Sequence, residues 1–188
     1  MLPVQSNLAI ALLHHPVYNK HREVVTTALT NLDLHDIARS ARTYGLERFY
    51  IVTPSNEQQR LASRITGHWQ EGWGADYNPD RREALRIVRI TATLHEARED
   101  FQGGFGKPVL TMATGAAQRP GALTFDEARC LISIADQPCL LLLGTGWGMT
   151  ESCFEEADHI LEPIRGIGDY NHLSVRSAAA IMLDRLKG

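Results

Sequence analysis

Short apolar runs alternate with longer amphipathic stretches along the whole chain. LAIALL (Leu8–Leu13) has the length and unbroken hydrophobicity of a strand buried on both faces, and His14-His15-Pro16 closes it. A polar loop, residues 17–23, and an extended VVTTALT segment follow. Asp33 is expected to cap a helix that carries Ile37, Ala41 and Tyr44 on one face and ends at Gly45. Phe49–Val52 reads as the second strand. Ser55 caps the next helix, where Leu61, Ile65 and Trp69 recur at a spacing of four. Residues 72–79 are the most turn-like stretch mid-chain, and Asp80 opens a short helix.

The same rhythm continues to the C-terminus. Residues 87–92 are the third strand, Thr93 caps a helix to Phe101, and residues 108–114 are the fourth strand. Thr124 caps a helix to Ala135, and residues 139–143 are the fifth strand. A short helix starts near Glu151, a sixth strand occupies residues 159–161, and an alanine-rich helix spans residues 174–186. Strands separated by helices at this spacing imply a mainly parallel, six-stranded α/β sheet covered by helices on both faces. Such sheets bind ligands beyond the carboxyl ends of their strands. The loops after Thr114, Leu143 and Leu161 lie there.

Residues 1–188 fit one domain. No segment reaches the ~18 apolar residues that span a bilayer. Met1-Leu2-Pro3-Val4 lacks the basic start and apolar core of a signal peptide, so the expected location is cytoplasmic. Cys130, Cys139 and Cys153 have no paired spacing and read as reduced core residues, neither disulfides nor zinc ligands. A net charge of −3 argues mildly against nucleic acid, so any such surface must be local. The densest basic set is Arg81, Arg82, Arg86 and Arg89; Lys20 and Arg22 form a smaller one. Trp69 and Trp73 read as core anchors. His14, His15 and His21 lack a metal spacing, and no metal is expected.

The chemistry gathers in the last third. The fifth strand ends in Gly144-Thr145-Gly146-Trp147-Gly148, and a second glycine-bearing loop spans residues 163–169. The first has neither the spacing nor the position of a dinucleotide-binding G-x-G-x-x-G, and no Gly-Lys-Ser/Thr makes it a P-loop. It is either a tight strand–helix turn or a loop whose missing side chains let main chain approach a flat base and a ribose. Arg39 shares its helix with Arg42, where a solvated face is the simpler reading, and Asn171 before Ser174 is compatible with a plain turn.

Three motifs in order change that balance. Residues 143–148, then Pro163-Ile164-Arg165-Gly166 with Asn171-His172-Leu173-Ser174-Val175, resemble the C-terminal motifs of the SPOUT superfamily. The stretch from Asp33 to Gly45 resembles that superfamily's upstream Asn-x-Gly-x-x-x-Arg motif. The nearest resemblance is to a bacterial RNA methyltransferase domain also found fused behind tRNA guanine-N1 methyltransferase. The resemblance implies a C-terminal trefoil knot, a homodimer, S-adenosylmethionine as cofactor and RNA, tRNA or rRNA, as substrate. It implies that Thr114, Gly115, Leu143, Gly144, Thr145, Gly146, Gly148, Ile164, Gly168, Tyr170, Asn171 and Leu173 hold the cofactor. It gives Arg39, Asp33 and Asn171 catalytic roles, with Tyr170 and His172 as equal candidates for the last. Asp33, Asp169 or His172 would serve as a base for methylation at a ring nitrogen.

Two positions depart from the SpoU pattern. Thr145, Gly146 and Trp147 stand where a glutamate is usual, and Asp33 replaces an asparagine. Two alternatives therefore stay open: a non-catalytic module that binds S-adenosylmethionine or RNA, and a Rossmann-like binder of another nucleotide.

Overall fold

The computed structural model describes residues 6–71, 73–133, 136–168 and 170–188. Six parallel strands form the sheet in the order β5 (Val88–Thr91), β4 (Phe49–Val52), β1 (Leu8–Leu13), β7 (Cys139–Gly144), β6 (Leu110–Ala113), β8 (His159–Ile160). β1 is buried at every residue and sits between β4 and β7, pairing Leu8 with Cys139 and Leu13 with Gly144. Complete burial removes the usual polar alternation, which is why these strands read as continuous apolar runs. A hairpin of β2 (Val17–Tyr18) and β3 (Val24–Val25) stands apart from the sheet.

The pleat of β1 divides the core. Leu8, Ile10 and Leu12 pack with α1 (Asn31–Thr43), α2 (Asn56–Gln70), α4 (Pro79–Leu85), α6 (Phe125–Ser133) and α8 (Val175–Lys187) through Ile37, Ala62, Leu85, Ile132 and Leu183. Ala9, Ala11 and Leu13 face α5 (Leu94–Gln102) and α7 (Glu151–Glu155) through Ala97, Phe101, Cys153 and Phe154. The two small alanines bring this second layer close. Strand order reverses between β1 and β7, so the loops leaving their carboxyl ends diverge and open a crevice.

Capping agrees with the sequence at Ser55 and Thr93, whose hydroxyls accept from Gln58 and Glu96 N–H groups, while Ser174, expected as the first residue of the last helix, caps it by accepting from Ser177 N–H. Four expectations are corrected. Thr30 caps α1: its Oγ1 accepts from Asp33 N–H at 3.0 Å, and Asp33 sits one turn inside. Residues 72–79 are not simply a turn, because α3 (Trp73–Tyr77) lies within them and Asn78 caps α4 with Pro79 at its first position. Trp73 is 71% exposed and stacks on Tyr77, so it anchors no core. Cys130 is exposed, while Cys139 and Cys153 are buried. The final residue of the helix expected to reach Ala135 lies outside the described residues.

Candidate functional site

The glycine loop after β7 is tight because backbone surrounds it. A Cβ on Gly144 would come 2.7 Å from Met149 Cγ and 2.8 Å from Met149 N. Gly146 has φ 60°, and a Cβ there would come 2.9 Å from the Tyr18 carbonyl oxygen. The Trp147 N–H donates to that same oxygen at 2.9 Å, and Tyr18 N–H donates to Gly148 O at 2.9 Å. The loop is thus clamped to the β2–β3 hairpin. Beneath it, Thr145 Oγ1 donates to Leu13 O at 2.9 Å and lies 2.5 Å from Thr27 Oγ1. Thr27 Oγ1 in turn lies 3.1 Å from His14 Nδ1.

Two other strand-end loops meet it. After β6, Thr114 is held by its hydroxyl on Leu142 O at 2.8 Å, and Gly115 passes against the Phe154 ring. After β8, Ile164 is buried, Arg165 Nη2 donates to Gln118 Oε1 at 2.8 Å, and Asn171 Nδ2 donates to Ala116 O at 3.3 Å. Between the three loops lies a cleft of about 770 Å³. Leu143, Met149, Phe154, Ile164 and Met182 give it apolar walls.

Two ion-pair groups edge the cleft. On one side Arg176 Nη1 meets Asp33 Oδ1 at 2.7 Å. On the other, Arg119 holds Glu151 with two bonds of 2.7 and 3.0 Å, stacks over Phe154 at 3.6 Å, and shares Glu151 with Arg22 at 3.7 Å. That bidentate bond holds the Glu151 carboxyl below its ordinary range and raises Arg119 above its own. His14 is pushed down to about 4, because burial penalises its charged form more than Asp33 and Thr27 favour it.

Of the residues singled out from sequence, the cleft brings together Asp33, Thr114, Gly115, Leu143, Gly144, Thr145, Gly146, Gly148, Ile164, Asn171, His172 and Leu173. Arg39, Gly168 and Tyr170 do not line it. Arg39 is exposed on α1, Gly168 faces open space, and Tyr170 is 79% exposed with its ring 5.4 Å from that of His172. Asp169 lies outside the described residues. The sequence reading missed Arg176, Arg119 and Met182 as cleft residues, while Arg22, singled out there as part of a small basic set, does line the cleft. Arg176 carried one local signal, a cation in the first turn of a helix, where the dipole disfavours it. Among the described residues no group of three or more His, Cys, Asp or Glu side chains is arranged to hold a metal. No described helix is long and apolar enough to cross a membrane.

Fold and cleft together define an α/β sheet whose strand-end loops converge on a cleft at a switch point, the place where such sheets bind ligands. Residues 7–188 match a family described as SAM-dependent RNA methyltransferase, and the chain belongs to that family. The tRNA (guanine-N(1)-)-methyltransferase of Oleidesulfovibrio alaskensis is 44% identical over 182 residues, covering 97% of this chain. This chain spans only 42% of that relative's length. An uncharacterized protein of Aquifex aeolicus is 40% identical over 183 residues, covering 97% of this chain and 89% of that one. The SpoU methyltransferase AviRb from Streptomyces viridochromogenes, solved in complex with AdoMet, shares the fold with a TM-score of 0.57 at 15% identity. That likeness covers 98% of this chain and 61% of AviRb. The resemblance drawn from the three motifs therefore holds.

Proposed function

We propose that this chain transfers a methyl group from S-adenosylmethionine to RNA, with tRNA or rRNA as the substrate class. The observation that carries this reading is the convergence of three strand-end loops on one cleft, in a chain that matches the family over residues 7–188. About 770 Å³ falls within the ~300–1,000 Å³ of small-molecule sites. Its residues suit the cofactor: apolar walls for a flat adenine, and glycines whose backbone approaches closely, as Gly115 does against Phe154.

When bound, the cofactor supplies a methyl carbon on a sulfonium, which departs as a neutral thioether. The chain's own residues then have two tasks: to place an acceptor oxygen or nitrogen in line with that carbon, and to remove one proton. We assign proton removal to Asp33, the carboxylate of the expected catalytic set that lines the cleft. Asn171, fixed on Ala116 O, is assigned to orientation. Arg39 is assigned to an RNA phosphate beyond the cleft's edge. Gly168 and Tyr170 reach the cofactor only if the third loop folds inward.

The trefoil knot, a homodimer and a cytoplasmic location belong to the same proposal. Leu32 beside Asp33, with Ile167, Tyr170 and Leu173 of the third loop, are large apolar side chains left exposed, which supports a second copy covering them. The substitution of Thr145, Gly146 and Trp147 for a motif glutamate favours a second reading, a non-catalytic module that binds S-adenosylmethionine or RNA.

Calorimetric titration with S-adenosylmethionine and S-adenosylhomocysteine, against NAD and ATP, tests the pocket. Binding of the first two alone, abolished when the cleft-lining Ala178 is enlarged by Ala178→Trp and kept by Ala178→Ser, is the expected result. Failure of both to bind would remove the cofactor assignment. Transfer of labelled methyl to unmodified tRNA or rRNA then separates the enzyme from the module.

A further inference from the structure

Four large aromatic side chains among the described residues are strongly exposed: Trp73, Tyr77, Trp147 and Tyr170. Trp73 and Tyr77 stack on one another at 4.6 Å, and Tyr170 meets His172. Other rings carry guanidinium groups: Arg22 over Tyr18, Arg81 over Trp69, Arg119 over Phe154. Trp147 alone of the four has neither a ring nor a guanidinium against its indole among the described residues, and it is 67% exposed on the lining of the cleft. An indole is a large apolar surface to leave in water. Its backbone is nevertheless fixed, by the bond to Tyr18 O and by flanking glycines at φ 60° and 98°.

The hairpin that fixes Trp147 is basic. Lys20, His21 and Arg22 are exposed, and Lys20 has no partner among the described residues. Arg22 lines the same cleft; its guanidinium rests 4.0 Å from the Tyr18 ring centroid, and it adopts φ 64°, a strained conformation for arginine. The facing carboxylates are already engaged, Glu151 by two bonds from Arg119 and Glu23 by Asn19 Nδ2 at 2.7 Å. Lys20, Arg22 and Arg119 outnumber them, so this rim is positive in a chain of net charge −3.

We propose that Trp147 and Arg22 clamp one unpaired RNA nucleotide at the mouth of the cleft, its base stacked on the indole and its phosphate on the guanidinium. The inference rests on the reading of the chain as an RNA methyltransferase. A stacked base and a neutralised phosphate are how single strands are held without reading a duplex. Both residues line the cleft, and Trp147 is one of the three residues that stand where a motif glutamate is usual.

The test uses the full chain with S-adenosylhomocysteine and a short unstructured RNA oligonucleotide, followed by anisotropy across a salt series. Trp147→Ala is expected to weaken RNA binding about tenfold or more, and Trp147→Phe to stay within about threefold. Arg22→Gln should lower the slope of log K against log salt by about one. Unchanged affinity in Trp147→Ala, or equal losses in the Ala and Phe variants, overturns the clamp. So does a Trp147→Ala chain that sediments as monomer where the wild type is a dimer yet binds RNA normally, since the indole then covers a second copy. A wild-type chain that binds cofactor but no RNA defeats the substrate assignment itself, a failure distinct from that of Trp147 alone.

Discussion

Arg176 Nη1 donates to Asp33 Oδ1 at 2.7 Å, tying the start of α8 to the start of α1 across the cleft. The second Asp33 oxygen accepts from the Thr30 hydroxyl at 2.6 Å, and Asp36 Oδ2 lies 3.5 Å from Arg176 Nε. The Asp33 side chain is 10% exposed and that of Arg176 32%. The helix dipole disfavours a cation here, so the pair is what places it. Arg176→Gln leaves a largely buried carboxylate short of a partner and is expected to cost about 1–3 kcal/mol of stability. Urea unfolding of Arg176→Gln, Asp33→Asn and the double variant should return a coupling of about 1–2 kcal/mol. Additive losses would show that the pair does not hold the helices together.

Two glycines separate backbone strain from crowding. Gly45 has φ 78° and open space where a methyl group would stand, so Gly45→Ala meets only the left-handed backbone penalty of about 1–2 kcal/mol. Gly144→Ala instead drives a Cβ against the Met149 main chain and is expected to cost about 1–3 kcal/mol while displacing the loop. Thermal melts should show both variants less stable. Titration with S-adenosylhomocysteine should be weakened in Gly144→Ala alone, and equal binding in the two would detach the glycine loop from the cofactor.

What the sequence made legible was local. Apolar runs marked the central strands because β1 is buried throughout and β7 from Cys139 to Leu143, and hydroxyl caps marked α2 and α5 because their geometry spans only a few residues. Thr30 and Asp33 are both capping types three residues apart, and only the direction of the hydrogen bond separates the cap from the third helical position. Trp73 looked like a core residue because apolar character predicts burial without naming a partner, and here the partner is exposed Tyr77. The Asp33–Arg176 pair joins residues 143 positions apart, beyond any periodicity. Motif spacing brought Asp33 to notice but could not say that Arg39, further along the same helix, is exposed and does not line the cleft.

Thiol chemistry should sort the three cysteines by burial. Cys130 is exposed on α6, while Cys139 and Cys153 are buried. Burial, with Asp158 nearby, pushes the Cys139 thiol up to about 12, so it stays protonated in neutral buffer. A chromogenic disulfide reagent at mildly alkaline pH should modify one thiol quickly in the native chain and all three in denaturant. A second fast thiol would mean that β7 or α7 opens readily.

His14 makes stability depend on pH. Its ring is buried, Nδ1 faces Thr27 Oγ1, and Nε2 has no partner among the described residues. Burial lowers its pKa from 6.5 to about 4, so the folded chain keeps the imidazole neutral while the unfolded chain protonates it below 6.5. The unfolded state then binds the extra proton, and stability present above pH 6.5 is lost as pH falls towards 4. Over that window the loss is on the order of 3 kcal/mol. His14→Gln cannot take up a proton, so its stability should fall less steeply over the same interval, although it starts lower through lost packing. Carboxylates such as Glu151 titrate in both proteins and cancel in the difference. Urea midpoints measured at intervals across the window decide the matter: parallel curves would show that the acid sensitivity lies elsewhere, and converging curves would place it at His14, directly beneath the glycine loop.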